Sequence, residues 1–252
     1  MTSLLRPEGT PQEQGGRPDN TIKSVFRTVV GTVIALALPL LLIGANLDML
    51  TNSGWLYSYN WWRNGIPENT GIERPELNRA ATQIKAYFAT AQSEELLDVR
   101  VKAGQREQSL YNDREVLHMR DVKTLVRGFW SAAEWSGAAM VIMVVAGLFV
   151  VGRRRFWDLF ATAVRWSAVG SLAAVAVLAV AALINFGALF NLFHVLSFAN
   201  DLWQLSSYTD YLLIMFPERF WLESTLLLGG LIVAEYAALW LLTNRLLRRA
   251  PG

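Results

Sequence analysis

The 252-residue chain is 53% apolar and only 17% charged, with no cysteine and a net charge of +2. Soluble domains usually carry about 25% charge, so the balance leans toward the membrane, while the missing thiol excludes a disulfide scaffold, thiolate catalysis and cysteine-ligated metals. The 12% aromatic content excludes wholesale disorder, near-neutral charge gives no reason to invoke nucleic acid, and a mean hydropathy of +0.27 averages something greasy with something polar.

Residues 1–24 are rich in Pro, Gly, Gln and Arg, lack an apolar period, and are expected to form a disordered tail. Thr28–Leu47 runs twenty residues without a charge, enough to cross a hydrocarbon layer at ~1.5 Å per residue. A signal peptide is the competing reading, but its apolar core is usually about 7–15 residues, so an uncleaved anchor is favoured. The segment 48–130 carries half of the charged residues. Trp55, Tyr57, Tyr59, Trp61 and Trp62 follow the first span as an interfacial aromatic belt would. Pro75 opens a helical pattern with Leu77, Ala81, Ile84 and Phe88 at three- and four-residue spacing. Leu97, Val99 and Val101 alternate with polar residues as a half-exposed strand, and Gly104 suits the turn before Ser109-Leu110-Tyr111. Asn112 followed by Glu115 reads as a capping pair, opening a helix with Val116, Met119, Val122 and Val126 on one face.

Trp135–Gly152 is a second uncharged run, ending at Arg153-Arg154-Arg155, and a third stays uncharged from Trp166 to Asn200. The third is too long for one crossing, so the chain is expected to leave the membrane near Asn185-Phe186-Gly187. Phe220–Leu242 forms the fourth, closed by Arg245, Arg248 and Arg249. The expected architecture is an all-α membrane protein: a four-helix transmembrane bundle with a small mixed α/β extracellular cap. Its spans are 25–47, 131–152, 163–186 and 220–244; its cap is 48–130, its outer aromatic loop 187–219 and its C-terminal tail 245–252. Lys and Arg cluster around the N-terminus, 153–165 and the C-terminus, whereas 187–219 holds only Arg219. By the positive-inside bias both termini are expected in the cytoplasm and the cap outside.

Chemistry has few candidates. The two histidines are His118, with Glu115 and Asp121 three residues to either side, and His194, inside an aromatic stretch beside Asn200, Asp201 and Asp210. Carboxylates at helical spacing can take a ring N–H and fix a tautomer, or the cluster can be a solvated helix surface. Burial keeps an imidazole neutral and able to act as a base; the same surroundings also suit a histidine that merely satisfies a hydrogen bond. Glu235 lies near the bilayer centre, as a functional acid or as a carboxyl bonded to a neighbouring helix through Ser171 or Thr32. No phosphate loop, His-x-x-x-His pair or Gly-x-Ser-x-Gly elbow is present.

The blocks Glu115-Val-Leu-His118-Met-Arg-Asp121-Val-Lys123 and Phe193-His194-x-x-x-Phe198-x-Asn200-x-x-Trp203, the latter followed by Asp210 and Phe216-Pro217, resemble the lipoprotein intramolecular transacylases of bacterial membranes. Asn69-Thr70-Gly71-Ile72, Leu77 and Tyr87-Phe88 resemble a weaker third block. The resemblance covers roughly residues 28–245. It implies catalytic His118 and His194, supported or oriented by Glu115, Asp121, Lys123 and Asp210. The substrate pocket would be lined by Phe193, Phe198, Asn200, Trp203 and Phe216. The implied reaction moves a fatty acyl chain from the sn-2 ester of a diacylglyceryl-modified lipoprotein to the α-amine of its N-terminal cysteine, giving a lyso-form lipoprotein in the bacterial cell membrane. No cofactor, metal or nucleic acid is expected, and membrane lipids are the surroundings. His194 is expected as base and His118 as oxyanion or leaving-group partner, although the residues alone leave the two roles interchangeable. Two other classes stay open on the residues: a bis-histidine cofactor-binding membrane protein, and a non-catalytic partner or transport subunit.

Overall fold

The computed structural model describes residues 18–90, 95–103 and 106–249. Much of the expected N-terminal tail and the Gly104 turn lie outside them. Four helices are long and apolar enough to cross a membrane: α1 (Pro18–Asn52), α5 (Asp113–Val151), α6 (Arg153–Ser197) and α8 (Glu218–Arg249). The helix begins at Pro18, so the last part of the segment expected to be disordered is already helical.

Between α1 and α5 the chain folds α2 (Gly54–Arg63), α3 (Ile66–Thr70), α4 (Arg74–Ala89), β1 (Arg100–Ala103) and β2 (Arg106–Ser109); α7 (Tyr211–Met215) lies between α6 and α8. Gly71, at φ +67°, closes α3 in the left-handed conformation that favours glycine. The two strands pair antiparallel, with Val101 opposite Gln108. Leu97, Val99 and Val101 are all buried as their alternation requires, but ladder pairing begins only at Arg100. Leu77, Ala81, Ile84 and Phe88 of α4 turn into the same core. The first aromatic cluster divides in two. Tyr57 and Trp61 are buried in the core, while Trp55 and Trp62 remain exposed, so only the latter pair can serve as a belt.

The helices α1, α5, α6 and α8 bury two smaller apolar clusters, around Val30 and Phe156 and around Leu38 and Ile232. Small residues set the spacing, as is usual where helices meet in lipid. A Cβ on Gly44 would lie 2.4 Å from Ala133 Cβ and 2.7 Å from the Phe129 carbonyl, so α1 and α5 cross almost backbone to backbone. Polar ties run between helices as well. Asn46 Nδ2 donates to Glu235 at 2.9 Å, and the Tyr236 hydroxyl pairs with Ser167 at 2.7 Å and Ser171 at 2.9 Å. The helix partner of Glu235 is thus Asn46 of α1; Ser171 serves the adjacent tyrosine instead.

α5 has 39 residues and α6 has 45, both well beyond the ~20 needed to span hydrocarbon. The N-terminal half of α5 carries Asp113, Arg114, Glu115, Arg120, Asp121, Lys123 and Arg127, more charge than an apolar slab admits. α6 is interrupted once. Asn185 is extended (φ −158°, ψ 87°), and its side-chain oxygen accepts the Ala188 N–H at 2.9 Å, capping a second helical stretch that runs to Ser197. Where a loop was expected after residue 186, the chain breaks stride and resumes as helix.

Candidate functional site

The site forms where the charged half of α5 meets the part of α6 beyond Asn185. α5 starts with a complete capping box: Asn112 Oδ1 accepts the Arg114 and Glu115 N–H groups, and Glu115 returns a bond to the Asn112 N–H at 2.8 Å. One turn later His118 points inward, 5% exposed. His194 approaches from α6, 7% exposed. The two rings lie 5.9 Å apart, tilted by 35°.

Aromatic side chains fill the space around them. Phe190 stands edge-on to His194 at 4.3 Å; Phe193 lies at 5.3 Å and Trp203 at 5.2 Å. Phe198 touches both imidazoles, at 5.2 Å from His118 and 5.6 Å from His194. His194 Nδ1 lies 2.7 Å from the Phe190 carbonyl. A carbonyl oxygen can only accept, so Nδ1 carries the hydrogen and the Nε2 lone pair is left free. Both rings lie at the level of the charged half of α5. Burial, and then the neighbouring His194, lower the His118 pKa to about 4 against a weaker opposing effect of Asp121. Burial lowers His194 as well, partly offset by its bond to Phe190. At neutral pH the pair is therefore two uncharged imidazoles, each with one N–H and one lone pair.

The carboxylates behave differently from the expectation drawn from helical spacing. Buried Glu115 accepts the Asn112 N–H at Oε2 and the Leu212 N–H at Oε1, the latter at 2.6 Å, so both oxygens serve backbone and neither orients His118. Burial pushes its pKa up against the two backbone bonds that lower it. Asp121 accepts from Asn200 at 2.8 Å, tying α5 to the segment after α6; it acts on His118 through its charge. Asp210 accepts from Asn112 at 2.9 Å and from the Ser206 N–H at 2.7 Å, fixing the turn before α7.

Lys123 is fully buried on another side of α5. Its ammonium donates to Thr90 at 2.6 Å and Glu95 at 3.2 Å, and lies 4.2 Å over the Tyr87 ring. The Thr90 hydroxyl, then Lys123, hold Glu95 below the usual carboxylate range. These contacts anchor the end of α4 and make Lys123 a support of the fold around the site. Phe216 packs against Tyr57, Trp61 and Phe220 in the cap core, and reaches the histidine shell only through Trp221 and Phe190. Phe193, Phe198 and Trp203 thus gather at the imidazoles and Asn200 stands outside them, bonded to Asp121, whereas Glu115, Lys123, Asp210 and Phe216 form the frame behind them. Sequence reasoning passed over Phe190 as a pocket residue, although its position four residues before His194 signals a shared helix face. Arg114 was passed over too. It donates to the Asp201 carbonyl and lies 3.7 Å from its carboxylate, closing the far side of the same junction.

The sequence profile of the lipoprotein intramolecular transacylase Lit family matches residues 32–221, a stretch that contains all three blocks of the resemblance. An uncharacterised protein of Aquifex aeolicus (strain VF5) is 26% identical over 203 residues, covering 80% of this chain and 87% of that one. The fold is also that of the membrane integral lipoprotein intramolecular transacylase Lit from Bacillus cereus, at a TM-score of 0.72 and 18% identity, covering 91% of this chain and 98% of that one. A variant of the Bacillus cereus protein with one histidine replaced by arginine superposes at 0.73, with 17% identity, covering 93% of this chain and 98% of that one. With four apolar helices and a family profile spanning most of its length, the chain is a multi-pass membrane protein that belongs to the lipoprotein intramolecular transacylase Lit family.

Proposed function

We propose that this protein transfers the sn-2 acyl chain of a diacylglyceryl-modified lipoprotein to the α-amine of its own N-terminal cysteine, in the bacterial cell membrane. The observation that carries this reading is the buried pair of neutral imidazoles at 5.9 Å, joined from two helices inside an aromatic shell. The orientation that fits has the cap and both histidines outside and both termini in the cytoplasm. It is supported by the arginines of 153–155 and of the C-terminal end at the opposite end of the bundle.

Amine and ester belong to one substrate, so no protein nucleophile is needed. The work is folding the substrate and moving protons, where good orientation corresponds to effective molarities of ~10⁵ M or more. The cysteine amine, whose ordinary pKa is about 7.7–8.0, reacts in its neutral form, and His194 Nε2 accepts one of its two hydrogens as a proton during the attack. The amine nitrogen bonds to the ester carbonyl carbon, and the oxyanion that forms is met by the His118 N–H. Collapse breaks the bond between that carbon and the glyceryl oxygen. The proton held by His194 passes to the glyceryl oxygen, leaving an amide and a free hydroxyl. Asp121 steadies His118 by charge, and Phe190, Phe193, Phe198 and Trp203 keep water from the ester.

The test is mass spectrometry of a diacylglyceryl lipopeptide incubated in vesicles with the purified protein. The wild type is expected to yield the lyso-form. His194→Ala and His118→Ala are each expected to slow it by at least about 100-fold, the usual contribution of a positioned acid or base. Lyso-product formed at the wild-type rate by either variant would remove that histidine from the mechanism.

A further inference from the structure

Away from the imidazoles, α2 and α8 enclose an apolar cleft of about 210 Å³. Trp55 and Leu56 form one wall, and Phe220 and Leu227 the other. Phe220, Ser224 and Leu227 share one face of α8 in the first turns of its apolar run, at the end nearer the histidines, so the cleft lies where the helix meets the edge of the bilayer. The Ser224 hydroxyl, also in the lining, is buried without a hydrogen-bond partner among the described residues.

The rim is charged. Glu223 accepts from Arg219 at 3.0 Å and from the Tyr59 hydroxyl at 3.1 Å, and Arg63 Nε stands 3.4 Å from it. Two guanidiniums against one carboxylate leave one positive charge in excess. Lys85 adds another beside the Trp55 wall, its ammonium 3.8 Å from where a Cβ on Gly54 would lie. An apolar slot under a cationic rim, with an unused hydroxyl between, matches the order of groups down a glycerophospholipid: phosphate, ester, chain.

We propose that this cleft binds an anionic glycerophospholipid of the bilayer, with its phosphate on Arg63 and Arg219, its ester carbonyl at the Ser224 hydroxyl, and an acyl chain between α2 and α8. The lipid is a resident and not a substrate. The cleft wall Phe220 touches Trp221 at 5.2 Å, and Trp221 touches Phe190 at 5.9 Å before His194 is reached, so an ester held here is screened from the imidazoles by two ring layers. A diacylglyceryl lipopeptide, moreover, has no phosphate for the rim.

The full-length protein, purified in detergent, would be incubated with equal amounts of phosphatidylglycerol and phosphatidylcholine and examined by native mass spectrometry. Retention of phosphatidylglycerol over phosphatidylcholine is expected. Arg63→Ala and Arg219→Ala should each lower it by about fivefold, the effect of one cation near an anionic lipid, while Arg63→Lys should preserve it. Leu227→Trp, which fills the slot, should abolish retention with lyso-product formation and the melting curve unchanged. Equal retention of the two lipids, or undiminished retention in the two alanine variants, would overturn the proposal. So would displacement of bound phosphatidylglycerol by the diacylglyceryl lipopeptide, which would give the cleft to the substrate. Lipid retention is read separately from acyl transfer, so either proposal can fail without the other.

Discussion

The hydrogen bond from His194 Nδ1 to the Phe190 carbonyl lies within one turn of one helix, so the tautomer is set by backbone geometry and needs no carboxylate. With both imidazoles lowered from 6.5 by burial, the folded protein binds fewer protons than the unfolded chain as the pH falls through 6.5. Stability is therefore lost on the acid side, down to the folded values. Histidine-selective ¹⁵N NMR in nanodiscs should show His118 still neutral at pH 6 and His194, in its Nδ1–H form, titrating below 6.5; midpoints near 6.5 would contradict the buried pair. Glu115 gives a second expectation. Its carboxylate satisfies two backbone N–H groups, those of Asn112 and Leu212, and an unsatisfied buried donor costs about 1–3 kcal/mol. Glu115→Ala should therefore destabilise by roughly 2–4 kcal/mol in thermal unfolding, with Glu115→Gln milder because one oxygen remains. The histidines were legible in the sequence because only two exist and each lies in a patterned block. The partners of the carboxylates were not. Three-residue spacing places Glu115 and His118 on neighbouring parts of one helix, but which donor a carboxylate meets depends on the backbone amides that tertiary packing brings to it.

Hydropathy marked the crossing helices because lipid demands long apolar runs, and period-three-and-four spacing marked α4 because it buries Leu77, Ala81, Ile84 and Phe88. Less visible was the distance to which α5 and α6 continue beyond the apolar stretch, since helix stability outside lipid comes from packing that no single segment records. The resumption of helix after Asn185 rests on that residue capping Ala188, a local device hidden in an uninterrupted apolar run. The α1–α5 crossing makes its own prediction. A Cβ added to Gly44 would lie 2.4 Å from Ala133 Cβ and 2.7 Å from the Phe129 carbonyl, so Gly44→Leu cannot fit without parting the helices. A loss of at least ~1–3 kcal/mol is expected for such overpacking, seen as a lower melting temperature in detergent. An unchanged melting curve would mean that the helices do not meet there.

On the scale of the whole molecule, charge is segregated along the bundle axis. Arg153, Arg154, Arg155, Arg245 and Arg248 lie at the end opposite the histidines. For the orientation proposed above, a fluorescent protein fused to the C-terminus should fluoresce in the cytoplasm, and alkaline phosphatase inserted in the exposed stretch around Tyr208 should be active outside; the reverse pattern would invert the assignment. The two halves of the histidine site are attached to the bundle in different ways. His118 stands on α5, which runs without a break from its capping box to Val151, so its depth is that of a post driven through the bilayer. His194 stands beyond the Asn185 break, on an arm whose Val195 and Leu196 face outward, 56% and 77% exposed. The two histidines are thus held to the bundle by different means, so undoing the Asn185 cap would reposition His194 while His118 kept its place on an unbroken helix.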